Sequence, residues 1–267
     1  MAGTMPFFPG VIDYDEKMYA DYQAGRALSQ DAATTWRAIL QPFVQRPGSA
    51  RIVDVGAGTG RFSALFARSF QAHVVGIEPS LRMLAATSVG AQPTNLAYVA
   101  GSAERIPLRN QSCDLAWLSQ VWHHIRDRHG CASELRRILS PVGDILVRGA
   151  FGDQLEGFPT LFHYWPAARD VCQQLPTIHQ TVAIFEAHGF VLTEHRCVPQ
   201  RTCASHREFA GRTRVRADTA LALISDSDFW KGQDALEMAA AQELVSDPVI
   251  EVIELLVFRR SIARSTV

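Results

Sequence analysis

Little in this chain points to a redox scaffold, a membrane segment or a strongly charged partner. Its 267 residues hold five cysteines, Cys113, Cys131, Cys172, Cys197 and Cys203, scattered and without a C-x-x-C pair. An odd, dispersed set argues against a disulfide framework or a zinc site and suits a reducing cytoplasm. No stretch approaches the run of about 18 apolar residues that a membrane-spanning helix needs. The opening residues, MAGTMPFFPGVIDYDEK, lack a basic region and reach an acid at Asp13, so they do not read as a signal peptide. Charge of one sign is also missing. Lys+Arg 26 against Asp+Glu 27 leave a formal net charge of -1, which offers no general attraction to nucleic acid or an anionic membrane. Internal repeats and low-complexity tracts are absent. What is present, 47% hydrophobic and 20% charged residues, is the make-up of an ordinary globular protein.

The pattern along the chain then names an architecture. Met18, Tyr19 and Tyr22, and after them Trp36, Ile39, Leu40 and Phe43, recur at roughly helical spacing until Pro47-Gly48 breaks the pattern. Short apolar runs follow at Arg51–Val55, His73–Glu78, Leu96–Ala100, Asp114–Ser119 and Asp144–Arg148. Between them lie amphipathic stretches, one with Phe62, Leu65, Phe66 and Phe70 on a single face and one starting near Ser80, a plausible N-cap. Ser140-Pro141-Val142-Gly143 reads as a turn into the fifth strand. Strands alternating with helices predict a parallel sheet covered on both faces. After Ala150 the alternation stops. An aromatic and proline-rich stretch, a helix up to His188-Gly189, and two further strands at Phe190–Val198 and Ile250–Phe258 complete the sheet, with a helical insertion at roughly 205–245.

The sharpest chemical signal is Asp54-Val55-Gly56-Ala57-Gly58-Thr59-Gly60-Arg61 at the end of the first strand. Glycines there let the backbone turn tightly and let a ligand approach the main chain. A dinucleotide loop wants G-x-G-x-x-G, with pyrophosphate on the helix N-terminus. Here the glycines fall at 56, 58 and 60, and Arg61 stands where the third dinucleotide glycine belongs. That spacing predicts a ligand without phosphate, cradled by the loop. Glu78, closing the second strand, is placed to accept hydrogen bonds from both ribose hydroxyls of an adenosine.

These runs, VDVGAGTGRF, GIEPSLRML, VAGSAERIPLRNQSCDLAWLSQVWHHI and ELRRILSPVGDILV, resemble the class I S-adenosylmethionine (SAM)-dependent methyltransferases. The likeness is greatest to the small-molecule branch that includes the ubiquinone/menaquinone C-methyltransferases, over about residues 48–150. The resemblance implies an α/β, Rossmann-like, seven-stranded and mostly parallel sheet with its last strand antiparallel. It implies SAM as cofactor, S-adenosylhomocysteine (SAH) as its product, and a small-molecule partner rather than nucleic acid or membrane. Carried onto this chain, Gly56, Ala57 and Gly58 line the methionine moiety, Glu78 the ribose, and Pro79 and Met83 the adenine neighbourhood. Ser102, Ala103 and Glu104 match the stretch beside the adenine ring, although Ser102 stands where the family commonly has Asp. Asp54, Gly60 and Ser119 complete the cofactor-binding set. Pro141-Val142-Gly143 departs from the usual Pro-Gly-Gly turn. Three parts follow: a helical lid at 1–47, the SAM-binding core at 48–150, and at 151–267 the rest of the sheet with helical, substrate-covering insertions at about 151–185 and 205–245.

Four features keep two readings each. His123 and His124, after the fourth strand, are candidate general bases, since histidine titrates near neutrality; they equally suit packing beside the cofactor. Adjacent residues diverge, so the pair is poor metal-ligand spacing, and no metal is expected. Tyr22 and Arg26, four apart on a helical pattern, fit a lid over SAM with the arginine on the methionine carboxylate, or simple packing. Arg201, Arg207, Arg212, Arg214 and Arg216 fit recognition of a substrate carboxylate or phosphate, or a solvated helix face. Phe158, Phe162, Tyr164 and Trp165 fit a pocket wall or a core. The leading function is methylation of an O, N or C nucleophile on a small metabolite. A nucleic-acid-modifying methyltransferase and a SAM-binding protein with non-methylating chemistry are the alternatives.

Overall fold

The computed structural model describes residues 28–87 and 92–261. Seven strands form one sheet: β1 Arg51–Val55, β2 His73–Glu78, β3 Leu96–Ala100, β4 Cys113–Ser119, β5 Leu139–Gly149, β6 Phe190–Cys203 and β7 Val249–Arg260. Their order is β3-β2-β1-β4-β5-β7-β6. The pairs β1–β2, β1–β4, β2–β3 and β4–β5 are parallel, and β7 runs antiparallel to β5. This is the expected Rossmann-like sheet. The order reverses between β1 and β4, the switch point where ligands bind at the carboxyl ends of such sheets.

The described residues divide into two compact units. The first contains 37–149, 178–196 and 254–261. Its helices are α2 Arg61–Phe70, α3 Leu81–Thr87, α4 Arg128–Ile138 and α7 Ile178–Ala187. The apolar face expected on α2 forms, with Phe62, Phe66 and Phe70 buried and Leu65 half-buried. Phe62 and Phe66 pack on Trp117 of β4 at ring-centroid distances of 4.9 and 5.7 Å. On a second aromatic cluster, Phe185 of α7 meets Phe258 at 4.3 Å and Trp122 at 4.9 Å. Ser80 caps α3 as expected, accepting from the Met83 N–H at 3.1 Å. The turn expected at Ser140–Gly143 is instead a bulge inside β5. Cys113 pairs with Leu139 and Leu115 with Asp144, so three extra residues of β5 are accommodated between two rungs of the ladder.

The second unit contains 28–36, 150–177 and 197–253, with α1 Gln30–Leu40 beginning in it. Its helices are α5 Pro159–Tyr164, α6 Pro166–Cys172, α8 His206–Thr213, α9 Thr219–Leu223 and α10 Asp226–Gln242. Trp165, 1% exposed, is its centre: the indole N–H donates to the Phe229 carbonyl at 2.9 Å and the ring stacks on Phe229 at 6.3 Å. No helix among the described residues is long and apolar enough to cross a membrane.

Candidate cofactor site

The glycine loop leaves β1 in a left-handed backbone, with Gly56, Gly58 and Gly60 at φ 69°, 56° and 79°. Only glycine adopts such angles freely, so the spacing at 56, 58 and 60 is a backbone requirement. The loop is tied down on the β2 side, where the N–H groups of Gly56 and Ala57 both donate to the Ile77 carbonyl, at 2.8 and 3.0 Å. On its other side a Cβ at Gly56 would lie 2.3 Å from Cγ2 of Val121, so the chain after β4 seats against it.

Glu78 is held at the lip of this loop. Its Oε2 accepts from the Gly58 N–H at 2.8 Å and its Oε1 from the Ser80 N–H at 3.0 Å. Two backbone donors fix the orientation of the carboxylate, and an acceptor held in this way suits a vicinal diol. An anionic acid bonded to a loop amide also opposes a pyrophosphate, which would seek that same amide. Loop and acid therefore fit a nucleoside without a phosphate chain.

Asp54 plays a different part. Its carboxylate is 2% exposed and accepts the Ser63 hydroxyl at 2.6 Å, so it points at the first turn of α2 from beneath the loop. Burial raises its pKa to about 6, against the lowering effects of the Ser63 bond and of Arg61. Asp54 and Ser63 join the residue before the loop to the residue after it. Ser63 was not singled out in the sequence, because a serine inside an amphipathic helix carries no signal of its own.

At the carboxyl end of β4, Gln120 adopts a left-handed φ of 56° and its N–H donates to the Arg148 carbonyl at 2.7 Å. Arg148, 3% exposed, donates to the Ser119 hydroxyl at 3.1 Å and lies 5.2 Å from the Phe62 ring centre. A buried arginine on an otherwise apolar strand (DILVRG) is the one sequence cue to this residue. A 3-10 turn, Trp122–His124, follows. Trp122 turns inward, its indole N–H on the Thr181 hydroxyl at 2.9 Å. His123 and His124 stay half-buried, with ring centres 4.0 Å apart. Arg128 fastens the turn from α4, donating to the Trp122 and His123 carbonyls at 3.1 and 3.4 Å. Asp127 is the N-cap of α4, accepting from the Gly130 N–H at 2.8 Å.

Met83 is buried at 2% and Pro79 is exposed. Ser102, Ala103 and Glu104 are half-buried in the turn after β3, where the Arg105 N–H donates to the Ser102 carbonyl at 3.2 Å. Tyr22 and Arg26 lie outside the described residues. In the second unit the arginine run is engaged internally. Arg201 pairs with Asp31 at 3.0 Å, Arg214 with Glu237 at 2.7 Å, and Arg216 with Asp226 at 2.6 Å. Arg212 reaches the Thr202 carbonyl, and Arg207 the Ala240 carbonyl at 3.4 Å. Among the four aromatics, Trp165 and Phe158 are core, whereas Phe162 and Tyr164 are half-buried.

A doubly wound sheet of this order is the Rossmann-like fold that methyltransferases share. Comparison with known proteins agrees: residues 53–147 match the methyltransferase domain family, and over that stretch the chain resembles methyltransferases of the ubiquinone/menaquinone type. It is 30% identical over 125 residues to a ubiquinone/menaquinone biosynthesis C-methyltransferase of Syntrophotalea carbinolica, covering 46% of this chain and 53% of that one. The chain thus spans about half the length of the curated relatives it matches. Among solved structures, a protein described as a methyltransferase from an antibiotic biosynthesis pathway of Anabaena variabilis superposes with a TM-score of 0.65 at 18% identity, over 86% of this chain and 98% of that one. Phosphoethanolamine N-methyltransferase 2 of Haemonchus contortus, in complex with phosphomonomethylethanolamine and SAH, gives a TM-score of 0.53 at 20% identity, over 91% of this chain and 60% of that one.

Proposed function

We propose that this chain is a SAM-dependent methyltransferase that methylates an O, N or C nucleophile of a small metabolite in a reducing cytoplasm. The observation that carries the reading is Glu78, fixed by the Gly58 and Ser80 N–H groups beside a loop of left-handed glycines. Glu78 would accept the ribose hydroxyls. Gly56, Ala57 and Gly58 would offer backbone to the methionine part, and Pro79, Met83, Ser102, Ala103 and Glu104 would surround the adenine. Ser119 would stand at the end of β4, and Tyr22 with Arg26 would close a lid.

When bound, SAM supplies an electrophilic methyl on a sulfonium centre; the residues of this chain align the acceptor and exclude water. His124, with His123 beside it, takes the acceptor's proton when the nucleophile arrives protonated. The turn that carries them is anchored by Trp122 and Arg128, so the imidazoles have little freedom to leave the carboxyl edge of β4. The choice of acceptor is assigned to segments 151–185 and 205–245, which lie outside the matched domain. The internal pairing of the arginine run supports a small-molecule acceptor over nucleic acid, since those charges are engaged within the chain.

Calorimetric titration with SAH tests the cofactor assignment. Wild type should bind, and Glu78→Ala should lose about 1.5–3 kcal/mol of affinity. Unchanged binding by the variant would remove Glu78 from the site. Conversion of SAM to SAH with a metabolite pool tests the transfer, and a His124→Ala enzyme with wild-type kcat at every pH would remove the base.

A further inference from the structure

Position 98 stands in an unusual row of the sheet. Tyr98 of β3 pairs with Gly76 of β2, Gly76 with Asp54 of β1, and Asp54 with Trp117 of β4. Residues paired in register share a face, and Trp117 shows that this face is the one under α2. Because Gly76 has no side chain, the Tyr98 ring lies across it. A Cβ at Gly76 would fall 2.5 Å from Cδ1 of Tyr98, and a Cβ at Gly60 would fall 1.9 Å from the Tyr98 hydroxyl. The third loop glycine and the strand glycine are therefore both shaped around this tyrosine. Its hydroxyl donates to the Gly60 carbonyl at 3.4 Å. Three residues on, the Ser63 hydroxyl donates to Asp54 at 2.6 Å. Two bonds thus hold the exit of the loop, Tyr98 of β3 on Gly60 and Ser63 of α2 on Asp54 of β1.

We propose that Tyr98 is a positioning residue for the cofactor loop: its ring and hydroxyl seat Gly60 while Ser63 holds Asp54 on the first turn of α2, and together these keep Gly56–Gly60 in the shape that receives SAM. The inference rests on the SAM reading above and deepens it, because Tyr98 acts without touching the ligand. Ser63 bonds Asp54, and the charges of Arg61 on α2 and Glu78 on β2 act on it; on the same face Tyr98 of β3 stands beyond Gly76, and Trp117 on β4 brings no charge. Burial lifts the Asp54 pKa to about 6 and that of the Tyr98 phenol to about 12, so Tyr98 remains a donor while Asp54 titrates just below neutrality. Protonating Asp54 replaces a charge-assisted bond by a weaker neutral one, and the loop loosens.

The test is SAH titration between pH 5 and pH 8 with wild type, Tyr98→Phe, Ser63→Ala and Asp54→Asn. Wild-type affinity should fall several-fold as pH drops through about 6, and Asp54→Asn should lose that component of the profile. Tyr98→Phe keeps the ring and removes one oxygen. It should bind SAH about fivefold more weakly at pH 7.5, the value of one lost hydrogen bond. Its pH midpoint should stay that of wild type, because Tyr98 bonds the loop and not Asp54; Ser63→Ala, which removes the donor to Asp54, should move it upward. A Tyr98→Phe protein with wild-type affinity would overturn the proposal, since a packing role of the ring alone predicts that result. If wild type binds no SAH at any pH, the SAM reading fails instead. The loop contact is then decided without ligand by amide hydrogen exchange at Gly58–Gly60: faster exchange in Tyr98→Phe supports it, and unchanged exchange removes it.

Discussion

The two units bury polar groups for different ends. Among the described residues the first buries five charged groups: Asp144 pairs with Arg259 and Glu254 with His195, and the other three, Asp54, Glu78 and Arg148, gather at the carboxyl ends of β1, β2 and β5. Each of these three is held by one or two short bonds that shape a loop or a strand end. In the second, the buried polar residues Thr213 and Gln233 bond each other at 2.9 Å, and Gln233 also donates to the Ala210 carbonyl at 2.9 Å. Those bonds join α8 to α10 around the Trp165 cluster. A buried charge is costly unless something uses or satisfies it, whereas a buried amide paired to a hydroxyl is ordinary packing. Where the costly groups collect is therefore the better guide to a site, and it points to the first unit.

The contrast can be broken most sharply at Trp165. Trp165→Ala should cost about 3–5 kcal/mol of stability, read by urea unfolding. If the site belongs to the first unit alone, SAH affinity at a temperature where the variant is folded should stay within about twofold of wild type. A large loss of affinity would show that the second unit is needed to bind the cofactor.

Asp54 offers the next largest effect, with the opposite sign to that of most surface acids. Its folded pKa of about 6 lies above the ordinary 3.8, so the folded state holds the proton more tightly than the unfolded chain. Its contribution to stability is complete below about pH 4 and is lost as pH rises through about 6, roughly 2–3 kcal/mol in all. Thermal unfolding of wild type and Asp54→Asn at pH 5 and pH 7.5 should show this loss in wild type only. Stability should thus rise with acid over the range in which SAH affinity falls, and general loosening at low pH cannot produce that pair of trends.

Two arginines sharpen the comparison from the other side. Arg216 donates to the Leu221 and Ile224 carbonyls at 2.9 and 2.6 Å, pairs with Asp226, and sits 4.4 Å from the Phe229 ring centre. Arg216→Ala should cost about 1–3 kcal/mol in urea unfolding, because it leaves buried carbonyls without their donor. A higher KM for the acceptor with unchanged stability would return this residue to substrate recognition. Arg214, whose pair with Glu237 leaves it 62% exposed, should matter least: Arg214→Ala should fall within about 0.5 kcal/mol of wild type by the same measurement.

Legibility also differed between the units. The β1–loop–α2 sequence and Glu78 could be read because each requirement is local: glycines at left-handed angles, an acid two residues before a helix cap, apolar residues four apart on α2. The bulge at Ser140–Gly143 was read as a turn, because its residues are turn formers and only the pairing of Leu139 and Asp144 on either side with β4 keeps the chain in β5. The arginine run and the aromatics at 158–165 stayed ambiguous for a similar reason. Arg201 finds Asp31 across 170 positions of sequence, and Trp165 finds Phe229 across 64.

By itself the sequence determined the strands, the loop and the acid that faces it, since these depend on backbone angles and short-range periodicity. The tertiary structure alone decided that Gly60 and Gly76 make room for Tyr98, that Asp54 turns inward to Ser63, and that the arginines serve their own unit. Those outcomes are set by which residues come to lie opposite one another across strands and helices, and no local pattern records that pairing.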